Sequence, residues 1–150
     1  MRQSKMDNYM EMAITAAKRS HDTETQVGAI LVKNISGAII ATGFNGFVRN
    51  APDNLLPNSR PEKYEYILHA EENVIYNCAR HGISMDDCTL VCTLSPCKAC
   101  MRKLYNCGIT KVVIKDFYKD FEEVQGMKDI DITIDRKELE PFITLKYQHN

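Results

Sequence analysis

Two short stretches carry the residue types that could do chemistry. His69-Ala70-Glu71 offers an imidazole and a carboxylate, and Pro96-Cys97-Lys98-Ala99-Cys100 offers two thiols. Cys97 and Cys100 stand three apart, so on a helix both project from one face. A helix N-terminus adds positive potential, which favours thiolates and hence metal binding. Two thiolates and one imidazole form a borderline-soft N/S set suited to zinc. Three protein ligands leave one tetrahedral position open, which marks a catalytic rather than a structural ion. A structural knuckle would show a fourth ligand at tight spacing. The nearest sulfurs, Cys92 and Cys107, fit buried strand and helix positions instead. Glu71 lies two residues from His69 and off its helical face, so it is a poor co-ligand. It can still take and return the protons of a water activated by the metal. Hydrolysis is the expected reaction type, with Glu72 next door read as a solvated first-turn acid.

The elements that must position these residues follow from periodicity. Ala70, Val74 and Cys78 fall on one stripe and predict a helix over Ala70–Arg80, with Gly82 soon after its end. Thr89–Leu94 reads as a buried strand. Pro96 suits the start of a helix running to Cys107, and Gly108 suits its C-cap. Lys111–Lys115 is the next strand. Upstream, Met6, Met10, Ala13 and Ala17 predict an amphipathic helix over Asp7–Ser20, its stripe serving core or interface. Val27–Lys33 and Ala38–Thr42 form a hairpin with a turn through Gly37. The proline-bearing stretch Gly43–Tyr66 is a long loop, and such a loop in a short chain is more often functional than idle. A helical piece near Phe121–Gln125, a strand at Ile130–Ile134 and a strand or tail over Pro141–Asn150 complete the reading. Alternating strands and helices predict right-handed crossovers. The expected fold is a three-layer α/β/α sandwich of one domain, residues 1–150, around a mixed sheet of about five strands.

Composition narrows the partners. The chain is 44% hydrophobic and 26% charged, which excludes a disordered tail, a collagen-like repeat and a coiled coil. A net charge of -1 leaves no basic surplus for a long phosphate backbone, so nucleic acid is not the expected partner. No apolar run approaches the roughly 20 residues that cross a bilayer. The polar N-terminus lacks the apolar core of a secretion signal, which predicts a cytoplasmic protein without membrane contact. All six cysteines fall within Cys78–Cys107. Cys78, Cys88, Cys92 and Cys107 read as reduced packing thiols, and His21, His81 and His149 as surface residues.

His-x-Glu followed by Pro-Cys-x-x-Cys is the signature of the zinc-dependent base deaminases. The chain resembles the cytidine deaminase superfamily, and within it the deoxycytidylate (dCMP) deaminase family. Gln26-Val27-Gly28-Ala29, Gly43-Phe44-Asn45-Gly46, Arg60-Pro61-Glu62-Lys63-Tyr64 and Thr93-Leu94-Ser95 extend the similarity over roughly residues 10 to 135. The resemblance implies Zn2+ held by His69, Cys97 and Cys100, with Glu71 as proton shuttle. It implies conversion of dCMP to dUMP with release of ammonia, supplying thymidylate synthesis. Asn45 would touch the sugar hydroxyl, the Ala70 N–H the 2-oxo group and the Ser95 carbonyl the leaving amino group. Arg49, Lys63 and Lys119 are candidates for the phosphate, and Tyr118 for a ring closing over the base. The family also implies a homo-oligomer, either dimers or hexamers built from dimers, with dCTP and dTTP as effectors. Here the family's Gly-Tyr-Asn-Gly, x-Pro-x-Gly loop departs from its pattern at Phe44 and at Phe47-Val48-Arg49-Asn50, which puts that regulation in question and leaves the zinc chemistry alone. No cysteine precedes Cys78, which predicts no second zinc.

Three alternatives stay open at this point. The tRNA adenosine deaminases share both zinc motifs, although the near-neutral charge argues against them. Another small substrate, such as dCTP, a 5-modified dCMP or a free nucleoside, differs only in pocket shape. A non-catalytic zinc domain that senses nucleotides is the third.

Overall fold

The computed structural model describes residues 1–116 and 145–146 of the chain. Helix α1, Lys5–Ala17, begins at Ser4, whose hydroxyl oxygen accepts the Asp7 N–H at 3.1 Å. It ends before Ser20 because Lys18, Arg19 and Ser20 tighten into bonds to the third residue back. Strands β1 (Gly28–Lys33) and β2 (Ile39–Phe44) form the expected hairpin. Helix α2 (Ala70–His81), strand β3 (Cys88–Leu94), helix α3 (Lys98–Asn106) and strand β4 (Ile109–Asp116) follow, and Leu145–Lys146 adds a two-residue strand β5. The sheet order is β2-β1-β3-β4-β5. β1 runs antiparallel to β2 and β3, while β3, β4 and β5 run parallel, so the sheet is mixed. Four strands carry its substance, and the fifth lies at 145–146. The expected helix near Phe121–Gln125 and strand at Ile130–Ile134 fall outside the described residues.

Side chains alternate between the two faces of the strands, and each face has its own helical layer. On one side Met10 and Ala13 of α1 pack on Ile30, Val32, Val91 and Val113. On the other, Ala70, Val74 and Cys78 of α2 with Met101 and Leu104 of α3 cover Leu31, Leu90, Cys92, Val112 and Ile114. Each fully buried Val, Leu or Ile contributes roughly 1.5–3 kcal/mol. This is the expected three-layer sandwich, with β3 at its centre. No described helix is long and apolar enough to cross a membrane.

Two glycines set how closely the helices approach. A Cβ on Gly28 would collide with the backbone of α1 at Ala13 and Ala17. A Cβ on Gly43 would lie 2.6 Å from the Ala70 carbonyl oxygen and 2.8 Å from the Val74 nitrogen. The first turn of α2 therefore sits directly on β2. Asn73 and Asn77 fix it there by donating to the carbonyls of Phe44 and Thr42 at 2.7 and 2.8 Å. The long loop returns to the same place: Gly46 and Leu68 exchange backbone bonds of 3.0 and 2.7 Å just before His69. Within it Glu62–Glu65 forms a 3₁₀ turn that periodicity did not signal.

Candidate active site

The two chemical stretches meet at two helix starts. His69 is the N-cap of α2, and Cys97 is the N-cap of α3 with Cys100 one turn in. His69 Nδ1 lies 3.6 Å from Cys97 Sγ and 3.3 Å from Cys100 Sγ. One ligand atom from each residue lies within 4.8 Å of the others. Parallel β3 and β4 carry α3 as their crossover, and α2 packs beside it on the same face. Glu72 ties the two helices together. It accepts the His69 N–H at 3.0 Å and pairs with Lys103 of α3 at 2.8 Å. It is a structural strut rather than the solvated acid expected.

The donor set suits zinc: an imidazole nitrogen and two sulfurs converge. Hydrogen bonds from Cys100 and then His69 hold the Cys97 thiol down at about 4, against the opposing effect of burial. The bond to Cys97 holds His69 above its ordinary value. Cys100, which shares its proton with Cys97 and is buried, is pushed up. A metal ion held here would favour the deprotonated form of both thiols, since binding and ligand deprotonation are linked.

Glu71 is buried beside these ligands, 4% exposed. Burial raises its carboxyl above the ordinary carboxylate range, with the bond from Cys92 opposing. Cys92 Sγ–H donates to Glu71 Oε1 at 3.1 Å. The reading of Cys92 as a packing thiol alone is therefore corrected.

A cleft of about 170 Å³ opens above this floor, and His69, Ala70, Glu71, Ser95 and Cys97 line it together with Asn45 and Lys63. Asn45 is pre-oriented: its Oδ1 accepts the Val27 N–H at 2.9 Å and its Nδ2 donates to the Thr25 carbonyl at 2.8 Å. Lys63 reaches the cleft wall but is not a free cation. Its ammonium is 2.8 Å from Asp22 Oδ2 and 3.3 Å from Glu24 Oε1, with the Lys63 and Asp22 side chains only 3% and 2% exposed. The 3₁₀ turn points it inward, which makes the expected phosphate contact an internal ion pair. Arg49 departs further from expectation. The loop after Gly46 carries it to a different cleft, where it donates to Asn77 of α2 at 2.8 Å. Tyr118 and Lys119 lie outside the described residues.

Several lining residues escaped the sequence reading. Arg60 borders the cleft and donates to Thr25 Oγ1 at 3.0 Å. Its membership of the Arg60–Tyr64 run was the one available signal. Asp22 and Thr25 gave none. His21, read as a surface residue, lies against Phe47 with ring centroids 4.1 Å apart. Its Nε2 accepts the Phe47 N–H at 3.2 Å, which leaves Nδ1–H for Asn58 Oδ1 at 2.7 Å.

Residues 3–116 match the family model described as the cytidine and deoxycytidylate deaminase zinc-binding region. The chain belongs to this deaminase family. Among relatives of this deaminase-family chain, a probable deoxycytidylate deaminase of Drosophila melanogaster is 36% identical over 126 residues, covering 76% of this chain and 61% of the fly protein. The deoxycytidylate deaminase of Mus musculus is 35% identical over 127 residues, covering 80% of this chain and 70% of its own. The chain thus spans about two thirds of the length of these relatives. A solved dCMP deaminase from the cyanophage S-TIM5, in complex with dCMP and dUMP, superposes with a TM-score of 0.75 at 26% identity, covering 98% of this chain and 99% of that one.

Proposed function

We propose that this chain catalyses the hydrolytic deamination of dCMP to dUMP with release of ammonia. The observation that carries the proposal is a buried carboxylate, Glu71, set beside a converging His69–Cys97–Cys100 triad on the floor of a cleft. The names of the fly, mouse and cyanophage relatives support the choice of substrate.

His69, Cys97 and Cys100 would hold zinc, which supplies Lewis-acid activation of water at neutral pH. Glu71 holds and moves the protons, first to N3 of the ring and then to the departing amino group. Its burial favours the protonated form and so equips it to donate. The Ala70 N–H, at the first position of α2 where no intrahelical acceptor exists, meets the 2-oxo group. The Ser95 carbonyl at the end of β3 receives the leaving amino group, and Asn45 meets the sugar. Arg60 is the cleft cation better placed for the phosphate: it is exposed and pairs with Glu24 only at 3.8 Å, whereas the buried Lys63 is held by Asp22 at 2.8 Å. The proposal extends to a cytoplasmic homo-oligomer. Val48, Leu55, Tyr64 and Tyr66, all from the long loop, are exposed apolar residues.

The deciding experiment measures ammonia release by the zinc-loaded protein from dCMP, 5-methyl-dCMP, dCTP, deoxycytidine and tRNA separately. Release from dCMP alone is expected, and silence on dCMP defeats the proposal. Repeating the dCMP assay with added dCTP or dTTP reads regulation directly.

A further inference from the structure

Glu71 needs more than a lowered exposure to act as a proton shuttle. The terminal torsion of a glutamate side chain is soft and roughly two-fold, so an unheld carboxylate samples a broad arc. At 4% exposure water does little to orient it, and protein donors must. Cys92 supplies one from an unusually fixed place. It sits in β3, paired with Ala29 on one side and Ile114 on the other, and is 0% exposed. Its Sγ–H reaches Glu71 Oε1 at 3.1 Å. A thiol is a weak donor to a neutral acceptor, but in the part of the cycle where Glu71 is a carboxylate the bond is charge-assisted. A donor anchored in a central strand also holds its direction better than one on a loop. The neighbouring thiol of Cys88, in the same strand and on the same face, is spent on the Asp86 carbonyl at 3.4 Å.

We propose that Cys92 is the positioning residue of Glu71: its thiol pins Oε1 and thereby presents the other carboxylate oxygen to the cleft. The proton of the thiol stays on sulfur throughout. This inference rests on the deaminase reading above.

The test compares zinc-loaded wild type with Cys92→Val, which removes the donor and adds one methyl branch, and Cys92→Ser, which restores a donor without the added bulk. Zinc content and thermal unfolding are recorded for each. Misplacement of a catalytic group can cost up to about a hundredfold, so Cys92→Val is expected to lower kcat about tenfold or more. KM for dCMP should stay within about twofold, and Cys92→Ser should recover kcat to within about threefold of wild type. In the infrared, the wild-type S–H stretching band that vanishes in Cys92→Val should shift when Glu71 is changed to Ala. Unchanged kcat in Cys92→Val, equal losses in the Val and Ser variants, or a band indifferent to Glu71→Ala would each overturn the proposal. Should the Val variant not fold, Cys92→Ala against Cys92→Ser makes the same comparison. If wild type releases ammonia from no nucleotide, the deaminase reading fails by itself, and the infrared band still decides whether the thiol holds the carboxylate.

Discussion

The floor and the mouth of the cleft are built by different means. On the floor, His69 and Cys97 are helix N-caps, and Glu71 and Cys100 sit in the first turns of the same helices. Their relative positions follow from helix geometry and from how α2 and α3 pack on the sheet. At the mouth, Asp22, Thr25, Asn45, Arg60 and Lys63 come from loops, and they hold one another through side-chain bonds. A helix start turns sequence spacing into geometry almost without tertiary help. A loop does so only when its buried polar groups are satisfied by partners distant in the sequence.

Changing the floor should abolish chemistry while leaving the fold in place. Glu71→Gln keeps the shape and removes the proton exchange, so turnover on dCMP should fall by roughly 10²–10⁴. Zinc content by metal analysis and the thermal midpoint should match wild type. A zinc-loaded Gln variant with full turnover would end the assignment of Glu71. Cys97→Ala removes a ligand instead. It should lose bound zinc and all measurable turnover, and chelation of the wild type should reproduce the same loss, because metal binding and ligand deprotonation are linked.

Changing the mouth should do the reverse and strike stability first. Lys63→Met strands Asp22 as a buried, unpaired carboxylate, at a cost of about 3–5 kcal/mol. The pH dependence distinguishes this from simple loss of packing. In the wild type burial alone would raise the Asp22 carboxyl, but the Lys63 ammonium and the amides of Thr25 and Glu24 outweigh it and hold it below its ordinary value. A depressed folded value gives stability that is present above the unfolded value of about 3.9 and is lost as pH falls through the lower folded one. In Lys63→Met burial is opposed only by the amides of Glu24 and Thr25, so the carboxyl rises relative to the wild type and protonating Asp22 relieves the variant. The gap between the two unfolding midpoints should therefore narrow as pH drops from 7 toward 4. A gap independent of pH would show that the pair contributes packing and no charge.

The same contrast explains what could be read in advance. The helix stripe Ala70, Val74 and Cys78, the Pro96 start and the ligand spacing are local, so α2, α3 and the triad were legible with boundaries off by one or two residues. The strand read at Thr89–Leu94 left the face of Cys92 unassigned, and the structure puts Leu90 and Cys92 together on the face covered by α2. Nor could the strand pattern give the 3.1 Å approach, which depends on the packing of α2. The pairing of Lys63 was not legible because a lysine in a polar loop has no periodic signature, and its partner Asp22 is brought from 41 positions away in sequence.

Two arginines of the same loop region provide the finest comparison. Arg60 borders the cleft, whereas Arg49 is bonded to Asn77 beside a different one. If Arg60 meets the phosphate, Arg60→Ala loses a hydrogen bond to a charged group, roughly 1.5–3 kcal/mol, and KM for dCMP should rise about tenfold or more with kcat little changed. The thermal midpoint of Arg60→Ala should stay near that of the wild type, and that readout separates phosphate binding from a general loosening of the loop. Arg49→Ala should move neither constant by more than about twofold, since an exposed bond of this kind contributes little. A KM effect at Arg49 larger than at Arg60 would mean that the loop after Gly46 closes over the substrate, and the mouth of the cleft would then have to be redrawn around it.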